Sequence, residues 1–161
     1  MSRLETGIIQ IQKERENLYQ TLTAAVSQIV PAAAQKEIEL YVKCEENMML
    51  DYDKKWTEEA IFNVLDNAVK YTSAGGKRFC VTVIRQEIFT KISVQDNGKG
   101  IRLERQAEIF TRFYREPEVH VQNGVGIGLY LTRRILELQN GYIEVHSEIG
   151  KGSEFCLYLP N

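Results

Sequence analysis

Asn63, Asn67, Lys70 and Tyr71 fall in one narrow sector when the chain is wound at roughly 100° per residue, while Ile61, Val64, Leu65 and Ala68 cover the opposite side. Amide oxygens are hard ligands of the kind Mg²⁺ takes, and an ammonium one turn further on can meet phosphate oxygens as a point charge. Alone, such a pattern equally describes a solvated helix face. Two further segments bear on the choice. Asp96-Asn97-Gly98-Lys99-Gly100-Ile101 follows a β-rich run. A fixed carboxylate there accepts a hydrogen bond from the exocyclic amine of adenine, and glycines let the backbone approach the ring. Guanine presents an acceptor at that point and is repelled. Gly124-Val125-Gly126-Ile127-Gly128-Leu129 opens a helix, where bare N–H groups and the dipole favour phosphate. Its spacing is neither that of a P-loop nor that of a dinucleotide fingerprint, and no strand immediately precedes it.

These residues need elements to hold them. Asn17 and Gln20 have the form of a cap and its partner for a first helix, which runs to about Pro31 or just past it. Ile38, Leu40 and Val42 alternate as in a half-buried strand. A second helix is expected from Thr57, with Glu58 and Glu59 at the positive end of its dipole. Phe79 to Arg85 and Ile88 to Val94 read as adjacent antiparallel strands. Residues 102–123 are charged and irregular apart from Ile109, Phe110 and Phe113, and read as a lid-like loop. A third helix is expected from Gly126 to Gly141, followed by a hairpin of Tyr142 to Ser147 and Glu154 to Leu159. The fold class is α/β: a two-layer sandwich whose mixed, mostly antiparallel sheet carries helices on one face.

Composition narrows the alternatives. Of 161 residues 43% are hydrophobic, enough for one buried core, and 20 basic against 22 acidic side chains leave no field to attract nucleic acid. The three cysteines, Cys44, Cys80 and Cys156, form no paired motif and read as reduced thiols, with Cys80 and Cys156 expected as buried strand residues. No apolar run is long enough to cross a bilayer, so this piece reads as cytoplasmic even if its parent is anchored in the membrane.

In order and spacing, the motifs resemble the N box (Glu59 to Tyr71), G1 box (Asp96 to Gly100), F box (Ile109 to Arg115) and G2 box of the histidine kinase ATPase family, and Gly152-Ser153-Glu154-Phe155 continues the match. The resemblance covers about residues 35–160 and implies the Bergerat-type fold of sensor kinase catalytic domains. It implies catalytic roles for Asn63, Asn67, Lys70 and Arg115, with Asn67 on Mg²⁺, Lys70 on phosphate and Arg115 reaching the γ-phosphate. Asp96 would hold adenine, and Tyr71, Gly98, Gly100, Ile101, Gly124, Gly126, Gly128, Leu129 and Ser153 would line the nucleotide. Two positions depart from the family's habit: Val125 and Ser153 stand where threonine is common. Residues 1–16 resemble the end of a phosphoacceptor helix with its linker, and 17–161 the catalytic domain with an ATP lid at 102–123.

The implied chemistry is transfer of the ATP γ-phosphoryl group to a histidine on a domain absent from this chain, for relay to a response regulator, in a parent expected to be a homodimer. Neither His120, in the lid, nor His146, in a strand, resembles the acceptor. A hydrolysing ATPase of the gyrase branch is a second reading, but that branch places glutamate where this chain has Asn63, and an amide is a poor base. A serine kinase of the same superfamily and a noncatalytic nucleotide-binding scaffold are the remaining readings.

Overall fold

The computed structural model describes residues 9–72, 75–106, 108–111 and 128–161. In chain order these form β1 (Glu14–Asn17), α1 (Leu18–Gln35), β2 (Glu39–Lys43), β3 (Met49–Tyr52), α2 (Lys54–Tyr71), β4 (Arg78–Arg85), β5 (Phe89–Asp96), α3 (Leu103–Gln106), a 3-10 turn (Glu108–Phe110), α4 (Gly128–Leu138), β6 (Tyr142–Glu148) and β7 (Gly152–Pro160). The main sheet runs β2-β4-β5-β7-β6. Only β2 and β4 are parallel; the other three pairings are antiparallel. This is the expected mixed sheet with helices on one face.

Alternation along the strands divides the two faces. Phe79, Val81, Ile92, Val94, Phe155, Leu157 and Leu159 point into a core filled from the helices by Leu18, Leu22, Ile29, Ile61, Leu65 and Leu136. On the other face Tyr142 stacks on Tyr158 at 4.3 Å, with Phe89 edge-on to Tyr142 at 5.2 Å. Cys80 lies on this outer face and is exposed, contrary to the buried position expected for it; Cys156 is buried. A strand's period of two sends Cys80 outward because Phe79 and Val81 on either side go in. Burial pushes the thiols of Cys44 and Cys156 up to about 11, so neither is an activated nucleophile.

Three boundaries differ from expectation. Asn17 caps α1 as read, its side chain accepting from Gln20 N–H, but the helix continues through Pro31 to Gln35. Proline there gives up one helical hydrogen bond, yet the helix runs on past it and buries Ala33. The second helix starts one turn early, at Lys54, because Asp53 and not Thr57 is its cap. At the end of α4, Asn140 takes the left-handed conformation, with φ of 64°. Gly141 is needed there for a different reason: a β-carbon at that position would sit 1.9 Å from the carbonyl oxygen of Tyr158.

The small sheet of β1 and β3 was not legible as such. It ties Glu14–Asn17 antiparallel to Met49–Tyr52. Asp53, which follows β3, joins three parts of the chain. Its Oδ1 accepts from Trp56 N–H at 2.9 Å, Oδ2 accepts from Gln12 N–H at 2.8 Å, and its own N–H donates to Oε1 of the fully buried Gln139 at 2.8 Å. Gln139 in turn donates to Thr57 Oγ1 at 3.1 Å. Ile9 and Ile11 pack beside this point on Trp56, Ala60, Leu131 and Ile135.

Asp53→Asn keeps one oxygen for the cap but turns an NH₂ group toward the Gln12 N–H, whereas Asp53→Ala removes both acceptors. Urea unfolding is expected to show a loss of roughly 1 kcal/mol for asparagine and about 2 kcal/mol or more for alanine. Equal losses would contradict the double role.

Candidate functional site

The apolar side of α2 decides where its polar residues go. Ile61, Val64, Leu65 and Ala68 are buried in the core, so Asn63, Asn67 and Lys70 share the other side, facing the opening of α4. Asn67 Nδ2 donates to the carbonyl of Asn63 one turn back, at 3.0 Å. Only the amide nitrogen can make that bond, so Oδ1 is the end left for a ligand. Asn63 presents the opposite chemistry. Its Nδ2 is shut from solvent and has no hydrogen-bond partner among the described residues, a cost of about 1–3 kcal/mol unless an acceptor is brought to it. An oxygen that suits a hard cation and a donor that suits an anion stand side by side, and this fits a metal-bound polyphosphate.

Gly128, the first residue of α4, presses against the pair: a β-carbon there would lie 3.1 Å from Asn67 Nδ2 and 3.8 Å from Asn63 Cβ. A glycine is what lets the helix start come this close. Lys70 Nζ is held by Asp66 at 3.0 Å on the same helix, both side chains about a third exposed. An exposed pair of this kind is worth only about 0.2–1 kcal/mol, and an ammonium has three donors, so the contact does not withhold Lys70 from a phosphate. Tyr71 ends the helix.

The expected adenine partner is at the C-terminal end of β5. Asp96 Oδ1 accepts from Gly98 N–H at 2.8 Å and from Ser153 N–H at 3.3 Å. Among the described residues Oδ2 has no hydrogen bond, which leaves it for an amine. Burial raises the Asp96 pKa above its ordinary value of 3.8, and the two backbone donors offset this only in part. Gly98 is confined, since a β-carbon on it would lie 3.0 Å from Thr72 Oγ1 and 3.1 Å from Asp96 Oδ1.

Other expected residues serve the site through packing. Gly100, with φ of 80°, lies so close to the β6–β7 hairpin that a β-carbon would be 2.2 Å from the carbonyl oxygen of Glu148. Ile101 N–H donates to Ser147 Oγ at 2.7 Å, and Ser147 Oγ also meets Ser153 Oγ at 2.8 Å. The Ser153 hydroxyl is thereby engaged with the hairpin, and its link to Asp96 is through the backbone. The Leu129 side chain belongs to the core, leaving its backbone as the part that could face a ligand. Ile109 and Phe110 are buried, Phe110 edge-on to Phe155 at 6.4 Å, as expected for anchors. Arg115, Gly124, Gly126, Phe113 and the larger part of the 102–123 lid lie outside the described residues.

Thr72 and Ser147 are the site residues that sequence reasoning missed. Ser147 had a signal: it is the polar break in the inward alternation of Ile143 and Val145. Thr72 directly follows the N box but shows its contact only in three dimensions.

Because the folded Asp96 pKa is raised, its contribution to stability is fully present below 3.8 and is lost as pH rises through the higher folded value. Asp96→Asn keeps the oxygen that Gly98 and Ser153 need and removes the buried charge. Thermal melts are expected to show the variant at least as stable as wild type at neutral pH, without the decline across that window, while its affinity for adenine nucleotide falls about tenfold or more. A destabilised variant with unchanged affinity would reverse the assignment.

Comparison with known proteins agrees with this geometry. Residues 52–161 match the family described as histidine kinase-, DNA gyrase B-, and HSP90-like ATPase. Sensor protein kinase PmrB of Pseudomonas aeruginosa is 34% identical over 161 residues, covering 99% of this chain and 33% of that protein. Circadian input-output histidine kinase CikA of Synechococcus elongatus is 31% identical over 165 residues, covering 99% and 22%. The chain thus spans a third or less of the length of these relatives. In fold it is similar to the catalytic domain of histidine kinase ThkA, with a TM-score of 0.80 at 19% identity over 92% of this chain and 97% of that one. It is also similar to full-length ShkA in complex with AMPPNP, with a TM-score of 0.80 at 25% identity over 94% and 32%. With residues 52–161 matching its model and a relative 34% identical over nearly the whole chain, the chain belongs to the histidine kinase-, DNA gyrase B-, and HSP90-like ATPase family, and its relatives there are sensor histidine kinases.

Proposed function

We propose that this domain binds ATP and transfers its γ-phosphoryl group to a histidine of a phosphoacceptor domain in the parent protein, for relay to a response regulator. What supports the reading most is opposite chemistry at two places that the end of α2 brings near each other. The Oδ2 of half-buried Asp96 awaits an amine at one, and the oxygen of Asn67 and the Asn63 donor, unpartnered among the described residues, await a charged polyphosphate at the other. Thr72 against Gly98 connects the two.

Phosphoryl transfer needs alignment and charge neutralisation more than covalent help. Asp96 orients the base, and Lys70 and the amide of Asn63 meet phosphate oxygens. Asn67 would supply an oxygen to Mg²⁺, which would help to neutralise the phosphate charge. Arg115 is assigned to the γ-phosphate by resemblance. The new bond forms between phosphorus and the acceptor imidazole nitrogen as the bond to the β–γ bridging oxygen breaks, and ADP leaves. Asn63 stands where the hydrolysing branch has glutamate, so water is not activated and slow hydrolysis accompanies transfer.

The test uses the whole cytoplasmic portion of the parent with radiolabelled ATP. The expected product is an acid-labile, base-stable phosphoprotein whose formation depends on Mg²⁺. Asn67→Ala is expected to lower nucleotide affinity about tenfold or more in Mg²⁺ while leaving the melting temperature close to wild type. An acid-stable phosphoprotein would point to a serine kinase, and rapid release of phosphate with no labelled protein to a hydrolytic ATPase.

A further inference from the structure

The C-terminal end of α2 is capped by a side chain from another helix. The last carbonyls of any helix lack intrahelical partners and carry the negative end of the dipole. Thr72, the C-cap, leaves the helix in an extended conformation, with φ of −99° and ψ of 134°, and its N–H donates to the Val69 carbonyl. Lys36, one residue beyond α1, meets the carbonyls at this end. Its Nζ donates to the carbonyl oxygens of Val69 at 2.7 Å, Thr72 at 2.9 Å and Lys70 at 3.2 Å. An ammonium has three donors, and all three are used here.

The Lys36 backbone is held as firmly. Its N–H donates to Ala33 at 3.1 Å, and its carbonyl accepts from Gly75 N–H at 3.0 Å, so the loop after α2 is tied to the same residue. The three capped carbonyls belong to a segment that serves both ends of the groove. Lys70 carries the ammonium offered to phosphate. Thr72 sets its hydroxyl against Gly98, whose N–H is bonded to Asp96 Oδ1 at 2.8 Å.

We propose that Lys36 is a positioning residue for nucleotide binding: by holding the end of α2 it sets the separation and orientation of the phosphate-binding Lys70 and the base-binding Asp96 loop. It reaches the nucleotide only through these groups. The inference rests on the nucleotide-binding reading above and adds to it a residue outside every motif that carries that reading.

The experiment titrates the 161-residue chain with Mg²⁺–ADP by calorimetry, at a temperature where each variant is fully folded by circular dichroism. Wild type that binds no ADP would defeat the nucleotide reading itself, and this inference with it. With wild type binding, Lys36→Met retains the apolar stem and removes the donors, and its Kd is expected to rise by on the order of three- to thirtyfold. Lys36→Arg, which restores a cation with several donors, is expected to recover most of the loss. A lysine that only stabilised the fold would lower the melting temperature and leave the Kd of the folded protein unchanged, and that result would overturn the proposal. Should Lys36→Met not fold, Lys36→Gln retains one uncharged donor group and is expected to weaken binding in the same direction. Wild-type affinity in folded Lys36→Gln would count against the role in the same way.

Discussion

A helix that buries Ile61, Val64, Leu65 and Ala68 against a sheet has no freedom over where its remaining side chains point, and the rest of the site follows from how α2 is fixed. Its apolar stripe sets its rotation, Asp53 sets its start and Lys36 its end. Rotation alone would place Asn63 and Asn67 toward the groove. The two terminal attachments settle how far along the groove they stand from Gly128 and from Asp96. Lys36 comes from a distant part of the chain, and Asp53, though adjacent to the helix, is bonded to Gln12 and Gln139 from elsewhere, so the position of the phosphate end depends on more than the helix.

The site carries costs that a structure selected only for stability would avoid. Asn63 buries a donor with no acceptor among the described residues. Asp96 keeps a carboxylate where burial disfavours its charge, with backbone donors on one oxygen only. Both are unmet needs of the free protein, and both are complementary to a nucleotide: an acceptor oxygen for Asn63 and an amine for Asp96. The same logic explains the glycines. Gly100 stands where the backbone approaches too closely for a β-carbon, and Gly98 and Gly128 stand where one would fit only tightly against Thr72, Asp96 and Asn67.

The sequence was most informative where local pattern and burial coincide. The polar sector of α2, the antiparallel pair that delivers Asp96 and the final hairpin all carry periods of 3.6 or 2 that survive into the fold. Less legible were features made by long-range contacts. Glu14–Asn17 and Met49–Tyr52 are short and only partly alternating, and become strands because each gives the other a partner. Thr57 looked like a cap, but buried Gln139 recruits its hydroxyl, and Asp53 one turn earlier takes the role. Lys36 reads as one more surface lysine until the three carbonyls around it are seen. Cys80 was placed in the right strand but expected to be buried, and it stands exposed on the outer face.

The account stands on Asp96 recognising an exocyclic amine at one end of the groove while the α2 amides take the phosphates at the other. Calorimetric titration of the wild-type chain with ATP and with inosine triphosphate, in Mg²⁺, probes that claim, because the two ligands share the ribose and triphosphate and differ only at the base edge, where the 6-amine becomes a 6-oxo group and N1 gains a proton. Inosine triphosphate is expected to bind about tenfold more weakly or worse, since the ring then sets a carbonyl oxygen against the half-buried Asp96 carboxylate. Equal affinity for the two would contradict it.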